Sequence, residues 1–208
     1  MDRRLALAAL LGIPLLWAAC RGLSGAVEPL VAGGLALLLY WAALAWALLR
    51  WADRDWLLDM TAWRWPGRLA ALMLLVPVLV VGAGTLRLMG EVVLPTHVIL
   101  ACAIAALAHA VLEEMFWRGA LLPGQDPLPR DAALALGLYT LLHLAWLGLA
   151  GLDLGLSPPA FVLGALAAGG VWTAARLLSG SLGAGIMGHA GLNLFLFTGI
   201  AARSWPSA

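Results

Sequence analysis

Seven apolar runs dominate the chain, over 5–20, 30–49, 69–86, 93–112, 132–152, 160–178 and 182–202. A run of about 20 apolar residues matches the thickness of a bilayer when it is helical. Lipid offers no partner to backbone N–H and C=O groups, so a spanning segment must satisfy them within itself, and a helix does so. The expected fold is therefore an all-α, polytopic membrane bundle of about seven helices, within a range of six to eight. Composition agrees: 63% of residues are hydrophobic and 11% charged, against about 45–50% and about 25% in soluble domains. A soluble enzyme and a disordered tail are excluded. A net charge of +1 provides no basic field for nucleic acid. The 208 residues are accounted for by helices and short loops, as a single membrane domain over 1–208.

All 12 basic residues are arginine. With the heavy use of Ala, Leu and Gly, this points to a GC-rich bacterial genome and to the bacterial inner membrane. With the N-terminus inside and seven spans, the inner segments hold Arg3, Arg4, Arg50, Arg54, Arg64, Arg68, Arg130 and Arg176. The outer segments hold Arg21, Arg87 and Arg203. That asymmetry predicts a cytoplasmic N-terminus by the positive-inside rule. The first run is short for a span, and snorkelling of Arg3, Arg4 and Arg21 to the interfaces makes up the difference. Arg3 and Arg4 before an apolar stretch also give signal-peptide character; with more spans following, the segment is expected to stay on as the first helix. Cys20 ends a faint lipoprotein-like stretch, but Trp17 fits such a site poorly. Cys20 and Cys102 match no metal spacing. The polar stretch 50–68, with Trp51, Trp56, Trp63 and Trp65, reads as a loop with aromatic anchors, or alternatively as a helix lying in the interface.

Ionisable side chains inside apolar runs cost about 2.5–3.5 kcal/mol each near a helix centre, so each requires an explanation. The fourth run continues without a breaker through Glu113, Glu114 and Arg118 towards Leu122. Glu114 and Arg118 are four apart and share a helix face. Glu113 lies about 100° around the helix and points elsewhere. One carboxylate is then held by the arginine while the other is free to take a proton; the plain alternative is an interfacial Glu–Arg pair. His143 lies in the fifth run, one turn after Tyr139, and by itself reads equally as a histidine bonded to a neighbouring helix. His189 and Asn193 share one face of the seventh run among Gly183, Gly185, Gly188 and Gly191. Those glycines suit close helix packing, which leaves the His–Asn pairing unexplained. His109, one turn before Glu113, is a supporting candidate only. His97, beside Pro95 and Thr96, is assigned to the outer interface. With the N-terminus inside, these polar groups fall at similar depth, between the midplane and the cytoplasmic face.

Glu-Glu-x-x-x-Arg, then an aromatic-x-x-x-His, then His-x-x-x-Asn, in that order on successive helices, resembles the CAAX protease and bacteriocin-processing family. This is the family of type II CAAX prenyl endopeptidases and bacterial Abi proteins. The similarity runs from about Ala106 to Phe197, and Tyr139 stands where the family usually has Phe. The resemblance implies a glutamate-dependent intramembrane endopeptidase with its catalytic core over 93–202. It implies Glu113 as the base that activates water, His143 helping to hold that water, and Glu114 and Arg118 ordering the site. It implies His189 and Asn193 as hydrogen-bond donors to the tetrahedral oxyanion. Such residue types suit the chemistry: a carboxylate out of water accepts a proton more readily, and oxyanion donors act strongly in a dry, preorganised site.

The resemblance implies no cofactor. The metal alternative uses Glu113, His143 and His189 as three zinc ligands with an open position, although the His-Glu-x-x-His motif is absent. The expected partners are the bilayer and a membrane-associated peptide or protein substrate, such as a peptide precursor or a C-terminally tagged protein. A non-enzymatic immunity or regulatory protein of the same fold is the main competing function. A transporter or proton relay is a third, but it predicts two repeated halves, and the sequence shows no repeat.

Overall fold

The computed structural model describes residues 1–124 and 127–205. Among these are eight α-helices and no strand. They are α1 (Arg3–Ser24), α2 (Pro29–Trp51), α3 (Arg54–Met60), α4 (Arg68–Met89), α5 (Thr96–Glu114), α6 (Pro129–Trp146), α7 (Pro158–Ser179) and α8 (Gly183–Ser204). α5 runs unbroken into a π-helical turn, Met115–Ala120.

Local chemistry sets the helix ends. Pro29, Pro129 and Pro158 open α2, α6 and α7, where a missing N–H costs nothing. Asp2 caps α1 by accepting from the backbone N–H of Arg4 and Leu5, satisfying donors that a helix start leaves orphaned. α7 stops at Gly180, whose φ of 66° is the left-handed conformation that glycine adopts without strain. Capping explains a difference from the apolar count. The first run looked short, but Asp2 and the polar residues flanking the run extend α1 to 22 residues.

Among the described residues, six helices are long and apolar enough to cross a membrane: α1, α2, α4, α5 with its π turn, α7 and α8. α6 falls short because its 18 residues include Arg130, Asp131 and His143. At about 1.5 Å per residue it is still about 27 Å long, and its contacts carry it from one end of the bundle to the other. Near its start, Asp131 pairs with the Met1 amino group at 2.5 Å, while Asp2 N–H donates to the Leu121 carbonyl at 3.0 Å. Just beyond its end, Ala150 N–H donates to Ser24 Oγ at 2.9 Å, at the opposite end of α1. The expectation of about seven spanning helices therefore counts α6.

The stretch 50–68 is more than a loop. Asp53 caps α3 through Trp56 N–H, and Leu57 and Met60 are buried. Their anchor is the turn before α8: Leu182 N–H donates to the Met60 carbonyl at 2.7 Å, and Ser181 Oγ donates to the Ala62 carbonyl. Gly183 sits so close to this segment that a Cβ would lie 2.9 Å from the Ala62 carbonyl oxygen.

The burial pattern is that of a membrane protein. Leu15, Leu49, Leu69 and Ile104 are each at least 70% exposed, an outer surface that only lipid accommodates. The interior holds small residues, with Ala32, Ala36, Ala110, Ala145 and Ala175 fully buried, which lets helices approach closely. The chain is a multi-pass membrane protein built as one helical bundle.

Candidate active site

Glu113 and Glu114 close α5 and are both completely buried. The π turn that follows adds a residue per turn: Leu121 N–H reaches back five residues to the Phe116 carbonyl at 2.9 Å. Such wide turns recur at functional sites. Here the turn carries Arg118 inward, to 1% exposure.

Glu114 faces α7 and α8. Its Oε1 accepts from Arg118 Nη1 at 3.2 Å and lies 2.9 Å from His189 Nδ1. Arg118 is held in turn, because Nη2 donates to the Gly169 carbonyl at 3.1 Å and the guanidinium lies 4.1 Å over the Tyr139 ring. Gly169 has to be glycine for this: a Cβ there would stand 2.6 Å from the Tyr139 ring and 2.9 Å from Arg118 Nη2. The Trp172 ring stacks on His189 from α7 at 5.5 Å. A carboxylate paired with arginine accepts only, so His189 Nδ1 donates to it. In the neutral ring that leaves His189 Nε2 as an acceptor; in the imidazolium Nε2 donates as well.

Glu113 faces α2. Its Oε1 accepts from the Tyr40 hydroxyl at 2.6 Å. Its Oε2 lies 3.4 Å from His109 Nε2 and 3.6 Å from His189 Nε2, yet accepts no hydrogen bond among the described residues. Trp41 Nε1 donates to His109 Nδ1 at 3.0 Å. Asn193, one turn beyond His189, is buried, and its Nδ2 donor also has no partner among the described residues.

Five of the six residues expected from sequence are buried: Glu113, Glu114, Arg118 and His189, which meet one another, and Asn193, one turn beyond His189. His143 stands at the margin, partly exposed, with Nδ1 2.9 Å from the Tyr139 carbonyl of its own helix and its ring against Tyr139 and Phe161. It is within electrostatic range of Glu113. The structure adds Tyr40, Trp41, Gly169 and Trp172, and brings His109 up against Glu113. Spacing from Glu113 gave a signal for His109. The others bear on the site through helix packing, which sequence periodicity does not encode.

The donor set can be tested for zinc. Among the described residues, the side chains that converge closely enough for one ion are His109, Glu113 and His189, within 4.8 Å of one another; His143 is not in that triple. A metal-binding histidine donates its other N–H to an acceptor. His109 does the reverse, since an indole N–H only donates and Trp41 occupies Nδ1 as an acceptor. The hydrogen then resides on Nε2, the atom that faces Glu113. His189 and Glu113 remain, one ligand fewer than the three of a catalytic zinc site.

Residues 95–195, close to half of the chain, match the family model described as Type II CAAX prenyl endopeptidase Rce1-like. No curated protein and no solved structure matches the chain.

Proposed function

Because the chain belongs, through residues 95–195, to the Rce1-like type II CAAX prenyl endopeptidase family, a protease of the membrane, we propose that it hydrolyses a peptide bond by glutamate-activated water without a metal. One observation carries this reading: Glu113 Oε2 is buried, accepts no hydrogen bond among the described residues and faces His109 and His189, whereas the Glu114 oxygen that likewise lacks a donor belongs to a carboxylate already paired with Arg118 and lies against Gly185. A water at Oε2 gives up a proton to it while its oxygen bonds to the substrate carbonyl carbon. The carbonyl electron pair moves onto oxygen, where Asn193 Nδ2 and the imidazolium form of His189 donate hydrogen bonds. Collapse restores the carbonyl, breaks the C–N bond, and returns the proton from Glu113 to the leaving amine. Glu114 and Arg118 position His189 from behind. His143, near the edge of the site, helps to hold the water.

The substrate is proposed to be a membrane-associated precursor or a C-terminally tagged protein, reached from the cytoplasmic side of a bacterial inner membrane with the N-terminus inside. The test compares protein termini by mass spectrometry in host cells carrying wild type or Glu113→Gln at equal expression. Precursors uncleaved only in the variant are expected, and they identify the cleavage site. Identical termini with both forms inserted would overturn the reading. Cleavage of the same precursor in isolated membranes should survive a zinc chelator; loss restored by added zinc would reinstate the metal mechanism.

A further inference from the structure

Tyr40 and Trp41 are neighbours on α2, outside the matched region, and each belongs to a run of side-chain contacts that leads to Glu113: a hydrogen bond from Tyr40, and from Trp41 a hydrogen bond to His109, which then approaches Glu113. Both paths have a fixed direction. Trp117 Nε1 donates to the Tyr40 hydroxyl oxygen at 3.0 Å. An indole N–H has no acceptor capacity, so the Tyr40 hydrogen must point away from it, towards Glu113 Oε1 at 2.6 Å. On the other side, the Trp41 indole fills His109 Nδ1 at 3.0 Å. The His109 hydrogen is thereby placed on Nε2, 3.4 Å from Glu113 Oε2.

The two paths differ in how tightly they end. The Tyr40 bond is short and buried. The His109 approach is long and makes no hydrogen bond, which leaves Oε2 open to a third party. Neither path brings a cation, whereas Glu114 receives Arg118 directly. Tyr40 is also braced edge-on by Trp146 at 5.5 Å, so its hydroxyl has little freedom to move off Oε1.

We infer that α2 belongs to the catalytic apparatus: Tyr40, and Trp41 acting through His109, are positioning residues that tie down Glu113 Oε1 and present Oε2 as the oxygen that takes the proton. The inference rests on the reading of Glu113 as the base. It explains why a helix outside the matched region has two adjacent polar aromatic side chains buried or half-buried against α5. Core packing alone would be served as well by Phe at both positions.

The first test needs no substrate. Protein labelled with 15N-histidine, in detergent or nanodiscs, reports by NMR which ring nitrogen carries hydrogen, and His109 is assigned by the signal lost in His109→Gln. The expected wild-type signature is an unprotonated Nδ1 and a protonated Nε2, with the lock lost in Trp41→Phe. An Nδ1-protonated ring in wild type, or a ring indifferent to Trp41→Phe, would overturn the inference whatever the protease assay shows.

The second test uses the precursor found by the terminus comparison. Tyr40→Phe keeps the ring and its packing. It should lower kcat by up to about a hundredfold, the scale of a misplaced catalytic group, with KM within about twofold. Unchanged kcat in a folded Tyr40→Phe protein would remove Tyr40 from the role. If wild type cleaves nothing while the His109 lock is present, the protease reading fails and the geometry of α2 stands.

Discussion

The two sides of the site hold their carboxylates in opposite ways. On the α7–α8 side, Glu114 meets a full cation, and Arg118 is itself secured by the Gly169 carbonyl and the Tyr139 ring. On the α2 side, Glu113 accepts its hydrogen bond from a neutral donor, the Tyr40 hydroxyl; each carboxylate keeps one oxygen without a hydrogen bond among the described residues, that of Glu113 facing His109 and His189 and that of Glu114 lying against Gly185. A compensated buried charge is costly to disturb, because removing one partner strands the other. A carboxylate held by neutral groups changes its proton count with less reorganisation. Adjacent in sequence and equally buried, the two glutamates are thus suited to different work: one fixes the frame and the other handles a proton.

The sharpest way to break that comparison is stability. Arg118→Ala leaves Glu114 buried without its cation and should cost about 3–5 kcal/mol, read as a large fall in Tm in detergent. Glu113→Gln keeps an acceptor for Tyr40 and should unfold near the wild-type temperature. Equal losses in the two variants would show that both carboxylates are structural. Next in size is Asn193→Ala. Its Nδ2 satisfies nothing in the described fold, so Tm should hold while single-turnover cleavage falls about 10²–10³-fold, the usual loss for one oxyanion donor. A fall in Tm with cleavage intact would make Asn193 packing glue.

The spans were legible because burial in lipid leaves a simple imprint, long apolar runs with arginine between them. Glu114 and Arg118 were legible as a pair because both lie on one helix, and a spacing of four survives even the π turn. Much of the rest depends on contacts between helices. Nothing in the run around Tyr40 and Trp41 says which α2 residue will meet Glu113, and the sixth run does not reveal that Gly169 must be bare. His143 illustrates the converse. Counting turns placed it level with the carboxylates, and it lies within electrostatic range of Glu113. There its ring turns to Tyr139 and Phe161 and bonds to its own backbone. Depth along one helix is countable, but the partners that a ring turns to are not. The π turn is likewise unmarked in sequence. Its Gly119, where a Cβ would lie 2.6 Å from Leu57 Cδ2, becomes informative only once α3 is known to pack there.

Gly169 sharpens the comparison at the smallest scale, because it touches the Glu114 side alone. Gly169→Ala forces a methyl group into the Tyr139 ring and the Arg118 guanidinium, and overpacking of this kind costs about 1–3 kcal/mol. The strain should be relieved by the residue that causes it. Tyr139→Ala removes the ring that the new methyl meets first, so the double variant should be less destabilised than the sum of the single ones, a coupling that a double-mutant cycle measures directly. The Tyr40–Glu113 bond lies on the other side of α5 and should not change, so the His109 ring signal should stay as in wild type. Strict additivity of the two substitutions would mean that the methyl is accommodated elsewhere. A moved His109 signal would mean that the two sides are mechanically one, and that the frame around Glu114 also sets the position of Glu113.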